Sequence, residues 1–294
     1  MATALTGTVT TMEAPPRRRP SLRRFIRRNP TLVAGGAMLA LIALVALAAP
    51  LVPGDPITMR PAERLRPPSA VNWLGTDNLG RDVFSRTVHG ARVSLFVGLS
   101  VAIFSVALGL LVGLLSGYFR RVDAVVMRLM DGLMAIPAIL LAIALVALTR
   151  ASVMTVIVAI TIPEVPRVVR LVRSVVLSVR EAPYVEAAIA GGTPVWKILL
   201  RHILPSTVPP LIVQATYICA SAILIEAALS FLGAGTPPEI PTWGNMIAQS
   251  RLFLSRAPWT IFSPGVALAV VVLAVNLLGD GLRDRLDPRL ARRM

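Results

Sequence analysis

Long apolar runs, not alternating ones, organise this chain. Residues 32–52, 93–115 and 259–278 carry no charge, and residues 208–232 carry one, Glu226. Each is long enough for a helix that crosses a bilayer, which takes about 20 mostly apolar residues. Residues 133–148 form a shorter uncharged run rich in Leu, Ala and Ile. Residues 153–169 are a sixth candidate, interrupted by Pro163 and Glu164. The pattern predicts an all-α polytopic membrane protein with six transmembrane helices.

The placement of arginine decides for the interrupted sixth run. Arg17, Arg18, Arg19, Arg23, Arg24, Arg27 and Arg28 precede the first apolar run, and Arg283, Arg285, Arg289, Arg292 and Arg293 follow the last. Short basic flanks stay in the cytoplasm, so both ends belong on one side and the number of crossings is even. Six crossings also put Arg120, Arg121, Arg128 and the cluster from Arg167 to Arg201 on that same side. The expected organisation is a basic disordered cytoplasmic tail at 1–30, a first helix with an extracytoplasmic loop at 31–92, a membrane domain at 93–288, and a short cytoplasmic tail at 289–294. The first run is read as a retained anchor in the cytoplasmic membrane, being too long for a secretory h-region.

Composition supports a membrane protein and removes several chemistries. Of 294 residues, 55% are hydrophobic and 15% charged, with a mean hydropathy of +0.73. Soluble domains average about 25% charged. One cysteine (Cys219) and two histidines (His89, His202) cannot make a Cys/His zinc cluster. No Gly-x-x-x-x-Gly-Lys-Ser/Thr run occurs, so no phosphate-cradling loop for ATP is expected here. The net charge of +15 is read as topogenic charge facing lipid, with no nucleic-acid partner.

Two loops carry more pattern than a connection needs. In the loop at 53–92, several prolines give way to Trp73-Leu74-Gly75-Thr76-Asp77 and Gly80-Arg81-Asp82, where Thr76 or Asp77 is expected to cap a short helix leading into Val83. In the loop at 174–206, Pro183 starts one helix through Val185, Glu186, Ala187, Ala188 and Ile189, which Gly191-Gly192 breaks. Thr193-Pro194 starts a second. Val195, Ile198, Leu199, His202 and Ile203 share its apolar face, Lys197 and Arg201 lie opposite, and Leu204-Pro205 is expected to end it.

That second loop reads Glu186-Ala187-Ala188, three residues, Gly192, nine residues, then His202-Ile203-Leu204-Pro205. It resembles the EAA loop of ABC-importer permeases, with His202 standing where the general pattern has Ile. Four further motifs resemble the C-type permeases of dipeptide, oligopeptide and nickel importers. These are the Trp73–Asp82 signature; Gly117-Tyr118 with Asp123, Met127-Arg128, Asp131 and Pro137; Glu226-Ala227-Ala228-Leu229-Ser230-Phe231-Leu232-Gly233 with Trp243-Gly244-Asn245-Met246; and Gly279-Asp280-Gly281-Leu282-Arg283-Asp284 with Leu286-Asp287-Pro288. The chain departs from these relatives at Arg120-Arg121, where glycines are usual, and at Ile162-Pro163-Glu164-Val165-Pro166-Arg167 in the fourth span.

The resemblance implies a type I importer fold and a permease that is not itself an enzyme. It implies a homologous B-type permease as partner, two ABC ATPases or one two-headed ATPase that bind ATP and Mg, and an extracytoplasmic substrate-binding protein. Glu186, Ala187, Ala188, Gly191, Gly192, His202, Leu204 and Pro205 would form the loop that seats in the ATPase. Implied cargo is a di- or oligopeptide, with nickel, haem or another small solute as the alternative. An ion-coupled carrier is the reading from another class; it would need its own ion site and usually an internal repeat, neither of which the sequence displays.

A carboxylate within a span is costly and marks function. Glu226 lies about 18 residues from Val208, roughly 27 Å at the helical rise. Near the outer face, it is expected to pair with the partner permease rather than meet cargo. Asp131 is a second candidate for either role. Arg167, Arg170 and Arg173 are expected to snorkel to the interface, and Glu164 to be interfacial.

Overall fold

The computed structural model describes residues 26–27, 29–51 and 54–286, which are helical or loop with no strand. The arginines of both tails, Arg27, Arg283 and Arg285 apart, lie outside the described residues, as do Asp287 and Pro288. The helices are α1 (Pro30–Ala48), α2 (Val83–Tyr118), α3 (Arg120–Met134), α4 (Ala138–Ala147), α5 (Val153–Arg180), α6 (Pro183–Ala190), α7 (Val195–Ile198), α8 (Leu204–Phe231), α9 (Trp243–Ser250) and α10 (Trp259–Leu286).

Four helical stretches are long and apolar enough to cross a membrane: Pro30–Leu51, Val83–Tyr118, Val195–Phe231 and Trp259–Leu286. The other two expected crossings look different from their sequence outline. Residues 120–147 are split into α3 and α4 by an 86° bend. Pro137 causes the break: it lacks an N–H and sits extended (φ −53°, ψ 129°) as the cap of α4. The run at 133–148 thereby shrinks to ten helical residues, about 15 Å, half the ~30 Å of a bilayer core. By contrast, α5 is one unbroken helix of 28 residues through Pro163 and Pro166, where the sequence suggested an interruption.

The core of the bundle is the α2–α5 seam, and it has a simple cause. Gly109, Gly113 and Gly117 recur every four residues on α2, facing Val168, Val172 and Val176 on α5. A Cβ added at these glycines would lie 2.4, 2.6 and 2.6 Å from the Cβ of the facing valine. The two backbones therefore approach as closely as small residues in a membrane seam permit. Val168, Val172 and Val176 are fully buried and continue the cluster that includes Val101, Ile157, Ile160, Ile218 and Leu229.

The chain returns to its starting end. A Cβ at Gly281 of α10 would lie 2.5 Å from the amide nitrogen of Leu32, and one at Gly35 would lie 2.4 Å from that of Leu278. So α1 begins where α10 finishes. The link at 181–203 sits at this same end, since Arg180 Nη1 donates to the Tyr118 carbonyl (3.5 Å) where α2 also terminates.

Candidate functional site

The link between α5 and α8 is built around a glycine corner. Pro183 occupies the first turn of α6, where its missing N–H costs nothing. The helix ends in paired bonds: Gly192 N donates to the Ile189 carbonyl (3.0 Å) and Thr193 N to that of Ala188 (3.0 Å). This is a Schellman closure, which needs a left-handed residue just past the cap. Gly192 supplies it at φ +73°, with nothing within 4 Å of where a Cβ would go. Gly191 has an ordinary φ of −75°.

The second half of the link does not stop at Leu204-Pro205 as expected. Residues 199–203 form a π turn, with Leu204 N donating to the Leu199 carbonyl, and the chain passes directly into α8. Pro205 falls in the first turn of α8, so the absent N–H and the ring are absorbed at a junction that the wide turn has already loosened. The link and the span thus form one 37-residue stretch, Val195–Phe231.

One face of the link is anchored and the other is bare. Val185, Ile198 and Ile203 are fully buried, and Leu199 and His202 are half-buried. The His202 ring stacks on Tyr184 of α6 at 6.4 Å between centroids, tying the two short helices together. Outward face Glu186, Ala187 and the large apolar side chains Tyr184, Ile189, Trp196 and Leu200. Glu186 has no ion-pair partner among the described residues.

Beside the link, α3 and α5 share a ladder of charges. Arg173 grips Asp123 through two bonds (Nε–Oδ1 2.5 Å, Nη2–Oδ2 2.7 Å). Arg170 Nη2 lies 2.5 Å from Asp131 Oδ1, and Arg167 Nη1 3.4 Å from Glu164 Oε1. Two expectations change here. The arginines pair within the chain rather than snorkel, Arg170 and Arg173 with acids that α3 presents to α5, and Arg167 with Glu164 of α5 itself. Glu164 is buried, not interfacial.

At the opposite end, residues 54–82 are knotted onto α2 and α9. Asp77 accepts from Arg81 Nε (2.6 Å), and Arg81 Nη2 donates to Gln249 Oε1 (2.6 Å). Buried Arg86 donates to the Pro56 carbonyl (2.9 Å), and Trp259 Nε1 to that of Thr76 (3.2 Å). The helix cap is Asp82, whose Oδ2 accepts from Ser85 N (2.8 Å), not Thr76 or Asp77, and α2 starts ten residues before the apolar run. Burial raises the Asp82 carboxyl above its ordinary value, against the pull of the Ser85 and Phe84 amides.

Glu226 belongs to this end and is fully buried. Its Oε1 accepts from Ser230 Oγ and Thr242 Oγ1, both at 2.9 Å. Thr242 also caps α9 by accepting from Asn245 N (3.1 Å), and Asn245 Nδ2 holds Thr236 Oγ1 (2.8 Å). Within this chain the carboxylate sits in an internal clamp, with Oε2 left without a hydrogen-bond partner among the described residues. The cause is α9, which folds back over α8: a Cβ at Gly244 would lie 2.5 Å from Ala227 Cα. The glycine seam of α2 and this clamp escaped the sequence reading. The first was visible as a four-residue glycine repeat; the second depends on a fold-back that no local pattern announces.

Residues 105–292 match the family described as the binding-protein-dependent transport system inner membrane component, and residues 20–68 match the N-terminal TM domain of oligopeptide transport permease C. A probable peptide ABC transporter permease protein of Sinorhizobium fredii is 62% identical over 92% of this chain and 93% of its own length. The dipeptide transport system permease of Alkalihalophilus pseudofirmus is 43% identical over 90% of this chain and 88% of its own. Among solved structures, a chain of the inward-facing MetNI methionine ABC transporter superposes with a TM-score of 0.54 at 22% identity, covering 69% of this chain and 96% of that one. The chain belongs to the family of binding-protein-dependent transport system inner membrane components, the permease subunits of ABC importers.

Proposed function

We propose that this chain is the C-type permease of a di- or oligopeptide importer in the bacterial cytoplasmic membrane. It crosses six times, with both termini and the 181–203 link in the cytoplasm, and completes a translocation path with a homologous B-type permease. An extracytoplasmic binding protein delivers cargo to the end held by the Asp77–Arg81–Gln249 knot. ATP and Mg are bound by separate ATPase chains, which seat on the bare face of α6 and α7.

The observation that carries this reading is the link itself. A transmission element must present a surface to a partner and must not absorb the stroke. The bare face around Glu186, Tyr184 and Trp196 meets the first need. The Schellman corner, the Tyr184–His202 stack and the unbroken passage into α8 meet the second. Glu186 there offers a carboxylate to a partner arginine, a charge-assisted pair. Peptide cargo is favoured by the relatives' names, at identities of 43–62% over most of the chain.

The test is ATP-driven uptake of a labelled dipeptide into liposomes holding both permeases and the ATPases, with the binding protein supplied on the delivery side. Uptake is expected only with every component present. Uptake by this chain alone would remove the importer reading, and uptake of nickel or haem but no peptide would reassign the cargo.

A further inference from the structure

At the end of the bundle that carries the link, a cleft of about 810 Å³ opens between α8 and α10, with Leu171 of α5 at its edge. Its volume falls in the ~300–1,000 Å³ range of small-molecule sites. Its lining is polar for a helix pair of this apolarity. Gln214, Thr216 and Tyr217 come from α8, and Asn276, Asp280 and Arg283 from α10. Asn276, Asp280 and Arg283 are spaced i, i+4, i+7 and so share one face of the helix. Nearer the other end, the same face of α10 carries exposed Phe262, Val266 and Leu273. The change from apolar to polar along one face marks where that face leaves lipid.

Gln214 lies six residues inside the apolar run at 208–232, and Asn276 two residues inside the end of the run at 259–278. Nearer the mouth, Asp280 and Arg283 have no ion-pair partner among the described residues. Backbone acceptors join them: Pro209 and Pro210 lack N–H groups, so the carbonyls of Pro205 and Ser206 have no helical donor four residues on. Freed carbonyls beside a carboxylate suit a cation, as at the broken helices of other transporters.

We infer that this cleft is a water-filled chamber that transiently binds a zwitterionic peptide before release at the link end. Asp280, with the free carbonyls, receives the peptide's ammonium, and Arg283 receives its carboxylate. The inference rests on the importer reading and adds a recognition site within this chain. It gives both termini of a short peptide a partner about one helical turn apart, so longer peptides engage one terminus at a time.

The experiment uses the complete importer in nanodiscs, with Cys219→Ser as background and single cysteines at Gln214→Cys, Asn276→Cys and Leu273→Cys. A membrane-impermeant methanethiosulfonate should label the first two, with and without ATP, and spare the third. Dialanine should slow labelling, while the same dipeptide acetylated and amidated at its ends should not. Asp280→Asn and Arg283→Gln should each raise the KM for dialanine uptake about tenfold, the scale of one charge-assisted hydrogen bond, with assembly intact. Protection of both cysteines in every state would mean that lipid or a helix of the other permease fills the face, and would overturn the inference. So would equal slowing by the capped peptide. Wild-type uptake in the same preparation reports on the importer reading separately, so the two can fail independently.

Discussion

Gly192 offers a clean test of whether the link transmits work, because only its backbone matters. Its φ of +73° is one that L side chains rarely adopt, and the space around it is open, so a substitution there adds strain without a clash. The left-handed conformation costs about 1–2 kcal/mol for an ordinary residue. Asn tolerates it better, and a β-branched residue worse. The strain can be relieved only by opening the Schellman pair, which detaches Gly192 N from the Ile189 carbonyl and Thr193 N from that of Ala188. A penalty of that size lowers the population of the closed corner about 5- to 30-fold relative to open forms. If the closed corner seats in the ATPase, uptake should fall in the order Gly, Asn, Ala, Val. ATP hydrolysis should fall less, because the ATPases retain their own chemistry. Gly191→Ala is the internal control: its φ is ordinary, so it lacks the left-handed strain and adds only a tight 3.3 Å contact to the Ala187 carbonyl, and a smaller loss than at Gly192→Ala is expected. The assay is uptake against hydrolysis in reconstituted complexes matched for assembly. Uptake by Gly192→Val equal to that of Gly192→Asn and wild type would refute the role of the corner.

Two further substitutions probe the frame that holds the link. Gly113→Ala places a methyl 2.6 Å from Val172 Cβ and should destabilise the α2–α5 seam by about 1–3 kcal/mol; thermal unfolding of the purified complex should show this, with Gly113→Ala/Val172→Gly, which removes that Cβ, more stable than the two single variants predict together, and an additive double variant would show that the contact is not the cause. Glu226→Gln keeps an oxygen for the Ser230 and Thr242 hydroxyls and should assemble normally, whereas Glu226→Ala strands the Thr242 hydroxyl that also caps α9, at a cost of about 1–3 kcal/mol; equal thermal stability for Gln and Ala would argue against the clamp.

What the sequence made legible followed from local physics. Hydropathy found the long apolar helices because an uninterrupted apolar run has few alternatives in lipid. The Glu186-to-Pro205 spacing located the link, since its corner depends on a glycine and its helix starts on prolines. Errors arose where distant elements met. Pro163 and Glu164 looked like a break but lie inside α5, which is held against α2 by valines filling glycine notches. Pro137, in an apolar run that looked continuous, is the real break. Arg170 and Arg173 looked free on their own helix because Asp131 and Asp123, which pair with them, lie 39 and 50 residues away. Glu226 looked expensive enough to need another subunit; two hydroxyls, one brought by a fold-back sixteen residues on, hold its Oε1, while its buried Oε2 has no hydrogen-bond partner among the described residues.

The passage of the link into α8 ties these features to one moving part. A 37-residue helical stretch is roughly 55 Å long at the α-helical rise, nearly twice the bilayer core. It begins on the bare face of the link, passes Gln214 and Tyr217 in the cleft, and ends at the Glu226–Ser230–Thr242 clamp. A rod of this length converts a small tilt at the link into displacement at the far end, provided that it does not bend between. Its weak points are Pro209 and Pro210, where two backbone hydrogen bonds are missing next to the cleft. The rod is thus weakest between the link and the clamp, where cargo is proposed to sit. On that arrangement, a stroke at the link would alter the cleft first and reach the Glu226 clamp after the cleft had changed shape.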